Sequence, residues 1–268
     1  MVKKLFKYEI AAYLRVWLPV ELLLLVVSIF GRAMQIFESD TAFFAVLMFF
    51  SIGIYLLCVT ASIVFNLIYS FIRYYKNLFT SEGYLSFTLP ITASQHIFVK
   101  VATSVLFSIA SIIMAFVSFC IISAGDLFVE VMRALGFLIN LATAKVGFNF
   151  GLYVIEAIIF IIVNIIATRL LYNTCITIGQ KANKGRIGFA ILAYFIIYVI
   201  TQTIVSIIQF ICLMVPENAW EPIVKYLAKN YIPAIHIGLL AAIVITAVIS
   251  LIYFLICRKI ITKKLNLQ

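Results

Sequence analysis

The sequence predicts an all-α integral membrane protein with six transmembrane helices, and three observations carry that expectation. Of its 268 residues, 65% are apolar and only 11% are charged. An ordinary soluble domain is about 45–50% apolar and about 25% charged, so this chain lacks the polar side chains to cover a water-facing surface. The apolar residues gather into six long continuous runs, each reaching the roughly 20 residues that a helix needs to cross about 30 Å of hydrocarbon. The 20 lysines and arginines then fall unevenly on alternate connections, as they do in multi-pass chains.

The spans are expected at 17–37, 42–71, 97–124, 149–172, 187–214 and 234–257. Helices are favoured over a barrel because the runs are continuous and do not alternate with period two. The second is long enough to tilt or protrude. Ahead of the first, Val2, Leu5, Phe6, Ile10, Tyr13 and Trp17 recur at helical spacing with Lys3, Lys4 and Lys7 opposite, which predicts an N-terminal amphipathic helix in the interface. Similar stripes run through Leu127, Phe128, Val131, Met132 and Leu135, and through Trp220, Ile223, Val224 and Leu227. With no internal repeat, low-complexity tract or Gly/Ser linker, residues 1–268 read as a single transmembrane domain.

Charge sets the orientation. Fifteen of the cations lie at the two chain ends and on the second and fourth connections, against five (Arg32, Arg133, Lys145, Lys225, Lys229) on the other side. The Lys/Arg-rich face is the cytoplasmic one, so both termini are expected inside, in a plasma membrane. Glu38, Asp40, Asp126, Glu130, Glu217 and Glu221 all fall on the opposite side. The net charge of +10 is then a topology signal, and no nucleic-acid partner is expected.

Composition and motifs exclude most enzyme classes. There is no GxxxxGK[ST] run to cradle phosphates and no HExxH, and the two histidines, His96 and His236, fall on opposite sides of the membrane. Cys58, Cys120, Cys175, Cys212 and Cys257 are scattered, odd in number and mostly inside apolar runs, so they read as small apolar fillers. No catalytic residue, metal site or cofactor is expected in this chain.

Polar residues inside the spans are the candidates for function. Glu156 lies seven residues into the fourth span, about 10 Å below the outer surface. A charge there costs roughly 2.5–3.5 kcal/mol on insertion scales, so it must face protein or water, or be protonated. Asn149, Tyr153, Glu156, Asn164 and Thr168 form one stripe on this helix; Tyr194, Tyr198, Gln202, Ser206 and Gln209 form another on the fifth span. Two readings stand side by side: a translocation path through Glu156, Asn164, Tyr198, Gln202 and Gln209, or hydrogen bonding across helix contacts. Glu21 is expected near the inner interface, snorkelling or paired locally with Arg15. On the third span Ser104, Ser108, Ser111, Ala115 and Ser118 share one face, which favours close helix packing.

The connection between the second and third spans is the most informative segment. Thr92 and Gln95 form a capping box that starts the third span, after Pro90 has stopped regular structure. Gly83 is placed to end a short helix. Leu78, Phe79, Tyr84, Leu85 and Phe87 make this connection unusually apolar; such a cluster is either tucked under the bundle or presented to a partner.

At these residues the chain resembles the membrane-spanning permease subunits of bacterial ABC type-2 exporters. The likeness rests on Glu82-Gly83-Tyr84-Leu85, on Thr88-Leu89-Pro90-Ile91-Thr92, and on Lys100 entering the third span, with Ile178-Gly179-Gln180 before a basic loop resembling the second cytoplasmic loop of that group. The external segment 215–233 departs from it, with one amphipathic helix among Pro216, Pro222 and Pro233. The resemblance implies a dimer of permeases, identical or homologous, each bound to a separate ATP-binding cassette subunit that carries the ATP and magnesium. It implies that 77–88 is a coupling helix, with Leu78, Phe79, Glu82, Gly83, Tyr84 and Leu85 as the ATPase-coupling residues. The implied activity is ATP-driven export of an amphipathic or antimicrobial peptide, a lipid or a drug. Two other functions are compatible with the residues alone: a proton-coupled secondary transporter using Glu156, and a membrane immunity or sensor protein that does not transport.

Overall fold

The structure, a computed structural model, describes residues 2–36, 42–80, 82–83, 88, 90–182 and 184–263. Among them are eight helices: α1 (Val2–Ile36), α2 (Ala42–Phe79), α3 (Ala93–Ile122), α4 (Asp126–Val146), α5 (Asn149–Gly179), α6 (Arg186–Met214), α7 (Glu217–Lys229) and α8 (Tyr231–Lys263). Six of these, all but α4 and α7, are long and apolar enough to cross a membrane, one for each expected span. The outward surface of both units is dominated by exposed Leu, Ile, Val and Phe, which water would not tolerate on this scale but lipid does. The chain is a multi-pass membrane protein.

The helices α1, α2, α5 and α8 run past the spans expected from hydropathy. α1 is one continuous helix from Val2, with Pro19 inside it, so the N-terminal stripe and the first span are parts of the same element. Lys3, Lys4 and Lys7 stay exposed while Glu9 and Tyr13 are buried on the opposite face. α2 continues to Phe79, past Arg73 and Lys76. At the start of α3 the capping box is present as expected: the Thr92 hydroxyl accepts from the Gln95 N–H, and the Gln95 side chain accepts from the Thr92 N–H.

The chain divides into two compact units, Met1–Leu141 and Ala142–Gln268. In the first, α1, α2 and α3 pack against one another. Leu24, Tyr55 and Ile122 form a small apolar core, backed by Val27, Cys58 and Val59. The Tyr13 ring stacks on Phe107 at 4.3 Å, and Trp17 meets the same ring edge-on at 5.3 Å. Much of the remaining interior is polar. Ser62, Asn66, Ser104, Ser108, Ser111 and Ser118 are buried, as suits helices that associate in lipid through small side chains and interhelical hydrogen bonds. The turn from α3 to α4 uses Gly125 at φ +103°, where a Cβ would lie 2.6 Å from the Arg32 guanidinium.

In the second unit α5 packs on both α6 and α8, and α7 touches α8. One end of the α5–α8 seam is closed by small polar side chains. Thr174 Oγ1 donates to the Leu170 carbonyl at 2.7 Å and lies 3.2 Å from Cys257 Sγ, and both residues are fully buried. α5 and α6 come close together at Gly179, where a Cβ would stand 2.6 Å from the Arg186 carbonyl oxygen.

Candidate functional site

Two clusters of polar side chains stand out, one in each unit. The first ties together the ends of three helices. Glu9, Tyr13, Trp17 and Glu21 follow one another four residues apart on α1, so they lie along one stripe of the helix, and that stripe faces α2 and α3. At its base the Glu9 carboxylate accepts from Arg73 Nε at 2.6 Å, from Asn77 Nδ2 at 3.0 Å and from Lys100 Nζ. Arg73 and Asn77 belong to the last turns of α2 and Lys100 to the beginning of α3. One carboxylate therefore clamps both helices that flank the 80–92 connection.

Higher on the stripe, the Tyr13 hydroxyl donates to the Asn66 carbonyl oxygen at 3.0 Å, and Asn66 Nδ2 donates to the Phe107 carbonyl and to Ser111 Oγ. Ser111 Oγ also accepts from Trp17 Nε1 at 2.7 Å and donates to Glu21 Oε1 at 2.7 Å. Ser62 Oγ donates to the same Glu21 oxygen at 2.8 Å. This corrects the expectation for Glu21. Its side chain is 2% exposed and turned into the three-helix unit, whereas Arg15 is exposed. Six residues along a helix amount to about 240° of rotation, which places the two on different faces. The serine stripe of α3 packs as expected, and it also supplies Glu21 with a hydrogen-bond donor.

The second cluster lies where α5 meets α8. His236 Nδ1 and Glu156 Oε1 are 2.8 Å apart. The Tyr153 ring stacks on the imidazole at 4.2 Å, and its hydroxyl donates to the Ile232 carbonyl at 2.8 Å. The second heteroatoms of the pair, Glu156 Oε2 and His236 Nε2, are buried without a hydrogen-bond partner among the described residues. His236 did not enter the expected site. It was legible in one respect: it lies five residues into α8, Glu156 seven residues into α5, and the two helices begin on the same side in the expected topology. Groups at matching depth on two spans that start from one face are candidates to meet.

The other expected path residues are placed differently. Asn164 is partly buried and donates Nδ2 to the Phe160 carbonyl of its own helix at 2.9 Å. Tyr198, Gln202 and Gln209 are exposed on α6.

Of the expected coupling residues, Leu78 and Phe79 are buried, at 0% and 5% exposure. Gly83 is also buried and donates its N–H to the Thr80 carbonyl at 2.8 Å, while Glu82 is exposed. Tyr84 and Leu85 lie outside the described residues. No protein-family model matches the chain, and neither a curated protein nor a solved structure gives a significant match.

Proposed function

We propose that the chain is the membrane-spanning permease subunit of an ATP-driven exporter of the ABC type-2 class. It would pair with a second permease, identical or homologous, and with two separate ATP-binding subunits, in a bacterial plasma membrane with both termini cytoplasmic. The observation that supports this reading best is the Glu9 clamp. A permease of this kind must convert a push on its coupling segment into movement of whole helices. Arg73, Asn77 and Lys100 bracket the 80–92 connection, and all three are held by one carboxylate on α1. A force on that connection would reach α1, α2 and α3 together. In this scheme Leu78 and Phe79 act as the buried root of the segment, and Glu82 is its exposed contact among the described residues. The cargo would be an amphipathic or antimicrobial peptide, a lipid or a drug.

The test is affinity purification of the tagged chain from native-host membranes in mild detergent with ATP present. A stoichiometric P-loop ATPase should co-elute, and Glu82→Ala and Tyr84→Ala should each weaken its recovery without changing membrane insertion. Recovery of the chain alone overturns the reading. A second reading, proton-coupled secondary transport, is favoured by the contact between His236 and Glu156; ATP dependence of transport separates the two.

A further inference from the structure

We propose that Glu156 and His236 together form a proton-binding site of this chain, taking up and releasing one proton as a unit. The geometry is the starting point. A nitrogen and an oxygen 2.8 Å apart require a hydrogen between them, because two facing lone pairs would repel at that distance. Two proton counts satisfy the contact. In one, a neutral imidazole donates Nδ1–H to the carboxylate, and the pair carries one negative charge. In the other, an additional proton on the imidazole or the carboxyl makes the pair neutral overall. The difference is a single proton, and the Nδ1–Oε1 contact survives the exchange.

Burial gives that proton its consequence. The side chains are 15% and 18% exposed, and both lie inside helices that read as membrane spans. A net charge there has few polar groups to stabilise it, so the proton count and the packing of α5 on α8 are linked. The surroundings do not settle the charge in advance. On α5, the Tyr153 hydroxyl is committed to the Ile232 carbonyl. On α8, the Tyr231 hydroxyl donates to the Lys145 carbonyl. On α6, Tyr194, Tyr198 and Cys212 are the only titratable groups between Ile187 and Met214. On α7, Lys225 is paired with Glu221 at 2.6 Å, with Tyr226 and Lys229 further along the helix. The inference does not rest on the exporter reading, since its probe is the proton itself and neither ATPase nor cargo is needed.

The experiment uses the full chain, labelled with 15N-histidine and reconstituted in liposomes. There are two histidines, so the spectrum of His236→Gln assigns the signals. Between about pH 5 and 8, the interval in which imidazoles exchange protons, the His236 nitrogen shifts and an infrared carboxyl band absent from Glu156→Gln should change together. In Glu156→Gln the amide oxygen still accepts from Nδ1–H, so that hydrogen bond should persist while the pH response of the imidazole shifts, and the carboxyl band should shift its pH response in His236→Gln. Unchanging His236 shifts across that range, or carboxyl and imidazole responses that persist independently in the variants, overturn the proposal. Should either variant fail to fold, the wild-type chain decides: coincident imidazole and carboxyl midpoints support a paired site, and separate midpoints overturn it.

Discussion

Replacing Glu9 with Gln should destabilise the first unit more than replacing either of its cationic partners. The carboxylate carries one negative charge against the two positive charges of Arg73 and Lys100, so the intact cluster has a net charge of +1. Its side chains are 5%, 17% and 7% exposed respectively, little enough that solvent screening does not dissolve the effect. Glu9→Gln keeps the shape and an acceptor oxygen but leaves two like charges facing each other between α1, α2 and α3. Removing one partner of a buried ionic contact costs about 3–5 kcal/mol. Lys100→Met leaves a neutral Glu9–Arg73 pair and relieves the desolvation of the lysine, so it should cost less than Glu9→Gln. The double variant Glu9→Gln/Lys100→Met should be more stable than Glu9→Gln alone.

Equilibrium unfolding of the full chain in mixed detergent and denaturing-detergent micelles, followed by far-ultraviolet dichroism, measures all three. Two results would refute the reasoning. One is a Glu9→Gln cost within about 0.5 kcal/mol of zero, the range of an ordinary surface substitution. The other is a Lys100→Met cost exceeding that of Glu9→Gln, which would mean that the lysine and not the carboxylate organises the cluster.

Three further outcomes follow from contacts elsewhere. Ser111→Ala should cost more than Ser62→Ala, because Ser111 both donates to Glu21 and accepts from Trp17 and Asn66; each buried group left unmatched costs about 1–3 kcal/mol, read in the same unfolding assay. Gly179→Ala should destabilise the second unit by about 1–3 kcal/mol, since its Cβ would meet the Arg186 carbonyl oxygen at 2.6 Å, whereas Gly188→Ala, with nothing within 4 Å, should be neutral or stabilising. Thr92→Ala should lose about 0.5–2 kcal/mol of capping at the start of α3, and Thr92→Ser should restore most of it.

Length and hydropathy located all six spans, because a run of about 20 apolar residues has few other uses. What they misjudged were the ends carrying charge. The second span was expected to stop at 71, yet α2 continues to Phe79, because Arg73 and Asn77 are matched by a carboxylate on α1. A hydropathy window scores each residue alone and cannot see a partner 64 or 68 positions away. The same blindness misplaced Glu21, whose two hydroxyl donors come from α2 and α3. His236 was overlooked for a related reason: its meaning depends on which helix lies beside it, and the sequence carries depth more legibly than neighbourhood.

The two units also differ in how their helices are held. In the first, polar contacts recur at successive turns of α1, from Glu9 through Tyr13 and Trp17 to Glu21. Sliding or rotating α1 would break several of them at once, and each leaves a buried group without its match. In the second, α6 meets α5 at Gly179 and through the stacking of Tyr172 on Tyr194 at 5.4 Å, while Gln202 and Gln209 lie on its exposed face. Ring stacking and close backbone approach tolerate tilting about the contact better than a ladder of hydrogen bonds does. If the chain moves helices during its work, α6 is the span whose displacement costs least, and the unit formed by α1, α2 and α3 is the one that would move as a block. A spin-label pair within the first unit should then keep its distance distribution across functional states, while one between α5 and the far end of α6 should broaden or shift.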